Sequence, residues 1–156
     1  MTHGPSTSTR DLDSGSILLQ ARSCEPNTLT RIRVDAPTFE RHVFLHWHHR
    51  DASPPLGLFL APRGDILLVG AGTLSASISL REPRVLHENS VVHFWGFQRR
   101  RDAILELGEQ ACRLYDLDGN LIGESPVEPP YEIGESDEGI RLVSDDSPAS
   151  VLAWPV

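Results

Sequence analysis

Apolar and polar residues alternate with a period of two along much of this chain, and the 3.6-residue period of an amphipathic helix stands out nowhere. "LTRIRVD" sets Leu29, Arg31 and Arg33 on one side against Thr30, Ile32 and Val34 on the other. "ERHVFLHWHH" continues the alternation: His42, Phe44, His46 and His48 share one face of a strand, and Val43, Leu45, Trp47 and His49 the opposite one. Beyond residue 56 the pattern becomes apolar runs of four to seven residues bounded by Gly, Pro, Asp, Asn or Ser, which predicts a meander of short strands.

These runs repeat. "RGDILLVGAGTLSASISL" from Arg63, "RRDAILELGEQACRLYDL" from Arg100 and "SDEGIRLVSDDSPASVLAW" from Ser136 have apolar starts at Ile66, Ile104 and Ile140, 38 and 36 residues apart. Each unit divides into an outer strand ("LGLFLA", "VVHFWGF", "YEIG"), a second after a polar turn ("DILLVG", "AILELG", "IRLVS") and a third ("LSASISL", "ACRLYDL", "SVLAW"). The first two units add a fourth ("RVLHE", "NLIGES"), and the third reaches the end of the chain without one. Four short antiparallel strands every 36 to 38 residues is close to the size of a propeller blade.

Residues 56–154, and "YDLDGNLIGES" above all, resemble the blades of quinoprotein-like or WD40-like β-propellers, without the Gly-His and Trp-Asp signatures of WD40 repeats. The fold expected is all-β: antiparallel meanders resembling two to three propeller blades plus N-terminal strands, not a closed propeller, which needs at least four blades. A polar tail of residues 1–15 precedes a single domain over residues 16–156, with blade-like units at about 56–90, 91–128 and 129–156. Residues 16–49 are expected to cover a sheet edge or add a sheet, since bare edges invite pairing between chains. A truncated blade repeat with a "YDLDGNLI" turn is also similar to the small bacterial immunity proteins encoded beside polymorphic toxins.

Charge adds a second layer. The net charge of -8 is uneven: residues 1–115 hold 12 Asp/Glu against 13 Arg, whereas residues 116–156 hold 10 Asp/Glu against Arg141 alone. Such an acidic quarter repels phosphate backbones and attracts cationic partners. All 14 basic residues are arginine, which points to a GC-rich coding sequence. Cys24 and Cys112 flank no metal spacing, no apolar run approaches the roughly 20 residues of a membrane span, and the opening residues lack signal-peptide character. A cytoplasmic, reduced protein without membrane contact is therefore expected.

Three stretches carry candidate chemistry. "YDLDGNLIGE" groups Asp116, Asp118 and Asn120 around Gly119, but counting Asp116 as the first position of a calcium loop places Gly119 fourth and Val127 twelfth, so the register fails. The reading is a hairpin corner of type I′. His46 and His48 share a strand face and can offer two imidazoles to a metal, with Asp51, His87 or His93 as further ligands if the fold brings them near; the bland reading is a wet strand face. "HFWGFQRRRD" combines aromatics with Arg99, Arg100 and Arg101; phosphate binding is one reading, and pairing of the arginines with the acidic quarter the other. None of the P-loop, Gly-x-Ser-x-Gly, His-Glu-x-x-His or Gly-x-Gly-x-x-Gly patterns occurs.

The expectation is thus a non-enzymatic cytoplasmic binding protein with no cofactor. Its resemblance implies an immunity protein that occludes a cationic toxin, and the acidic quarter supplies the expected contacts, Asp116, Asp118, Glu124, Glu128, Glu132, Glu135, Asp137, Glu138, Asp145 and Asp146, with Tyr131 as an exposed aromatic anchor. Nucleic acid is not an expected partner. Two alternatives stand beside it: a metal- or small-ligand-binding protein using His46 and His48, and a homo-oligomer, such as a dimer, that completes a ring of blades.

Overall fold

The computed structural model describes residues 15–22, 25–49 and 56–156; residues 1–14 of the N-terminal tail, Cys24 and Asp51 lie outside them. Every regular element among the described residues is a strand. β1 (Ser16–Gln20), β2 (Thr28–Ala36) and β3 (Phe39–Trp47) form a sheet in the order β1-β3-β2. β2 and β3 make an antiparallel hairpin closed at Pro37 and Thr38, and β1 runs parallel to β3, a pairing that alternation alone does not reveal. β4 (Gly57–Leu60), β5 (Ile66–Ala71), β6 (Leu74–Ser79) and β7 (Arg84–Ser90) form an antiparallel meander in chain order. β8 (Phe94–Arg100), β9 (Ala103–Gly108), β10 (Ala111–Asp116) and β11 (Leu121–Pro126) form the next, and β12 (Tyr131–Glu135), β13 (Gly139–Ser144) and β14 (Ser150–Ala153) a three-stranded last one. No sheet closes into a barrel.

The sheets stack face on face in chain order, as blades do, because their middle strands are apolar on both sides. In β5, Leu67, Val69 and Ala71 pack against Val43, Leu45 and Trp47 of the first sheet, while Ile66 and Leu68 turn to Ile104 and Tyr115 of the third. In the third sheet Ala103, Leu105, Cys112 and Leu114 then face Ile140, Leu142 and Leu152 of the fourth. The first and last sheets each keep one face without a neighbour among the described residues. On the first, that face carries Arg31, Arg33, His42, Phe44 and His46, as the alternation predicts, and Leu45 and Trp47 are buried opposite.

A Phe and two glycines lock the second and third sheets. Gly57 and Gly70 face each other across β4 and β5, and the fully buried ring of Phe94 lies over both; a Cβ on Gly57 would stand 2.4 Å from it and one on Gly70 2.3 Å. A register shift between Phe94 and Gly96 puts Phe97 on the same side, its ring 4.8 Å from that of Phe94. Simple alternation along "FWGF", which separates Phe94 from Phe97, is therefore overturned by a bulge. Trp95, left outside, stacks on Tyr131 at 5.5 Å.

The turn after β10 also departs from its expected form. Only Gly119 (φ 81°) is left-handed there, whereas a type I′ turn needs two such residues. The amide of Gly119 donates to the Asp116 carbonyl, and that of Asp116 to the Asn120 carbonyl, giving a three-residue loop of type I-plus-bulge form. The Asp116 carboxylate accepts the amides of Asp118 and Asn120 at 2.9 Å and the Asn120 side-chain amide at 2.9 Å. It is occupied as a local cap.

Candidate functional site

Because consecutive strands are antiparallel, their connections gather at two ends of the stack, and these ends differ in charge. At one end lie the β4–β5, β8–β9, β10–β11 and β12–β13 turns. Here arginines meet the acidic quarter: Arg63 Nη1 is 3.3 Å from Asp118, Arg100 Nη1 is 3.1 Å from Glu135, and Arg101 lies 4.0 Å from both Glu135 and Asp137. Arg101 also covers the Trp154 ring at 4.7 Å. Arg100 and Arg101 of "QRRRD" thus pair with carboxylates, the second of the two readings, while Arg99 Nε donates to the Arg101 carbonyl at 3.5 Å.

At the other end lie the connection from β7 to β8, the β9–β10 turn, the β11–β12 connection and the β13–β14 loop. Backbone bonds tie them together: Val91 N–H donates to the Thr73 carbonyl, Phe94 N–H to Gly72, Glu109 N–H to His93 and Val127 N–H to Gln110. Glu128, Asp145 and Asp146 are exposed here, and none has a cationic side chain within 4.0 Å among the described residues. Glu132 points outward from the free face of the last sheet and Glu138 from the opposite end, both exposed and equally without an ion pair among the described residues. Tyr131, expected as an exposed anchor, is half-buried; its hydroxyl donates to the Gly108 carbonyl at 2.9 Å. The eleven residues therefore do not form one patch.

A cleft of about 390 Å³ opens at this second end between residues 90–93 and 108–111, with Arg113, Glu124 and Pro126 as its wall. A smaller hollow of about 220 Å³, lined by Arg22, Glu88 and Asn89, adjoins it through Ser90. Behind the cleft sits a buried polar network that joins the second sheet to the third. Glu106 accepts Ser75 Oγ at 3.0 Å, Arg113 Nη1 at 2.9 Å and the Tyr115 hydroxyl at 3.1 Å, and that hydroxyl accepts Asn89 Nδ2 at 2.6 Å. Burial pushes the Glu106 carboxyl above the usual range, against the pull of Arg113. Burial opposes the charge of Arg113 too, but Glu106 and Glu124 outweigh it and hold the guanidinium protonated. Arg113 Nε donates to Glu124, which reaches back from the exposed side of β11.

No local motif marks this cleft, since its groups come from two connections and from the strands β10 and β11. One signal was present: Glu106 shares the strand phase of buried Ile104 in "AILELG", where a carboxylate needs partners. The histidine site gains no third ligand, as no three His, Cys, Asp or Glu among the described residues are grouped for a metal. His48 Nδ1 lies 2.8 Å from the Glu25 carbonyl, and His42 pairs with Glu40 at 3.1 Å. Among the described residues no helix is long and apolar enough to cross a membrane.

No family model matches this chain, and no curated protein does. Among solved structures it is similar to Hsv2 of Kluyveromyces marxianus, at 12% identity and a TM-score of 0.32 over 60% of this chain and 32% of that one. Hsv2 of Kluyveromyces lactis gives 12% identity and a TM-score of 0.34 over 66% and 34%. The chain spans about a third of the length of the solved chains it matches. What defines the class is the strand order itself: an all-β stack of blade-like sheets, none closed into a barrel.

Proposed function

We propose that this protein is a non-enzymatic cytoplasmic binding protein, and specifically an immunity protein that blocks a cationic toxin domain with the acidic end of its stack. The observation that carries this reading is the uneven neutralisation of the acidic quarter. Arginines quench it at one end, while Glu128, Asp145 and Asp146 stay exposed and unpaired beside a carboxylate-lined cleft at the other. Unpaired surface carboxylates steer a cationic partner and raise its association rate, and apolar contacts then set how long it stays.

The test is co-expression with the products of the flanking genes. One neighbour should arrest growth when expressed alone and cease to do so with this protein. Protection should be lost when Glu128, Asp145 and Asp146 are reversed to Lys, with the circular dichroism spectrum unchanged. Harmless neighbours, or protection that survives the triple reversal, would sink the reading.

A further inference from the structure

The cleft beside the acidic end has a charge pattern that selects one kind of occupant. Its single guanidinium, Arg113, is 9% exposed at the side chain and already bonded to Glu106 and Glu124, so two carboxylates offset its charge. Glu109 is then in excess. Its Oε2 atom is shut off from solvent and accepts no hydrogen bond, although the side chain as a whole is 39% exposed; the His93 Nε2 atom lies 3.5 Å away. A buried carboxylate oxygen without a donor is costly, and a charged donor satisfies it best. Glu124 also reaches the cleft, with its second oxygen free to accept.

We propose that this cleft receives one arginine or lysine side chain of the partner, held between Glu109 and Glu124 and backed by the buried pair of Glu106 and Arg113. The volume of about 390 Å³ suits a side chain and its stem rather than a folded element. Glu128, Asp145 and Asp146 at the same end draw the cationic partner in, and the cleft fixes its register through a planar or point donor. The inference rests on the reading of the chain as a binder of a cationic protein.

The probe is a short peptide, acetyl-Ala-Arg-Ala-amide, titrated into the ¹⁵N-labelled protein, with the citrulline peptide of the same shape as its uncharged counterpart. The arginine peptide should shift the amides of His93, Glu109 and Gln110 saturably, with a Kd on the order of 1–10 mM. Citrulline, or the variant Glu109→Gln, should weaken this about tenfold, while Glu82→Gln at the far end leaves it unchanged. No shift, an equal response to citrulline, or a response indifferent to Glu109→Gln overturns the proposal. The two readings fail separately. Harmless flanking gene products with the peptide still seated remove the toxin and keep the cleft; confirmed protection with an unresponsive cleft does the reverse.

Discussion

Phe94 and Gly57 offer a test of how the sheets are fastened, because their contact predicts a change of sign. Replacing Gly57 by Ala puts a methyl group 2.4 Å from Phe94 Cε1, well inside contact distance, so the ring or the strand must shift. Overpacking of this kind costs about 1–3 kcal/mol. Replacing Phe94 by Ala instead removes a fully buried ring, at about 3–5 kcal/mol. In that background the next neighbour of the new Gly57→Ala methyl is Phe97 Cδ2 at 3.6 Å, an ordinary contact. Gly57 has no left-handed φ, so alanine there should gain roughly 0.5–1 kcal/mol from the unfolded chain. Gly57→Ala should therefore destabilise the native protein and stabilise the Phe94→Ala variant, a coupling of at least about 1.5 kcal/mol. Urea unfolding of the four proteins, followed by circular dichroism, measures it. Equal cost of Gly57→Ala in both backgrounds would refute the packing argument.

Other expectations follow from the buried polar groups. Arg113→Met strands Glu106 in the core and should cost about 3–5 kcal/mol by thermal or urea unfolding, whereas Glu124→Gln, half exposed, should cost under about 1 kcal/mol. The chain has two tyrosines, and burial raises both Tyr115 and Tyr131 above the ordinary value of 10.0. Protons held more tightly by the folded state mean stability that is complete below pH 10 and lost as pH rises past it. Absorbance at 295 nm and circular dichroism should therefore change together in alkali; tyrosinate forming in a still-folded protein contradicts this. For the proposed cationic partner, the on-rate should fall about tenfold or more between 50 and 300 mM salt, measured by stopped flow, and a flat profile argues against steering by the acidic end.

Strand positions were legible because they depend on local rules. "AILELG" and "LSASISL" are apolar runs between turn residues, and they fold as β9 and the strand β6 with its neighbour Leu80. The inward phase of Leu45 and Trp47 followed from period two alone. Features set by backbone irregularity or distant pairing were not legible. The bulge at Phe94 depends on the glycines of another sheet, the parallel β1 depends on β3 lying between it and β2, and the three-residue loop at Gly119 depends on the Asp116 carboxylate capping two amides. The candidate site was legible as charge and not as geometry. Net charge per segment shows the acidic surplus, but which carboxylates an arginine quenches depends on which turns the stacking places side by side.

That stacking explains the asymmetry between the ends. The repeated turn before each second strand reads "RGD", "RRD" and "SDE", so the first two turns carry arginine and the third carries two acids and no arginine. Neighbouring turns are therefore complementary, and Arg101 meets Glu135 and Asp137 across adjacent sheets. At the opposite end the turns read "AGT", "GEQ" and "SDD", with acid accumulating and no arginine to meet it. Charge at the first end aligns the sheets; charge at the second stays unpaired, which is where the proposed partner would bind. The two roles should separate by mutation. Arg101→Glu faces two acids and should lower stability by up to about 1 kcal/mol while leaving affinity for the proposed partner within about twofold. Asp145→Arg with Asp146→Arg should leave stability within about 0.5 kcal/mol, as surface changes usually do, and lower the on-rate at least tenfold. Unfolding midpoints and association kinetics on the same two proteins decide it: if affinity follows Arg101 and stability follows the aspartates, the assignment of the ends is reversed.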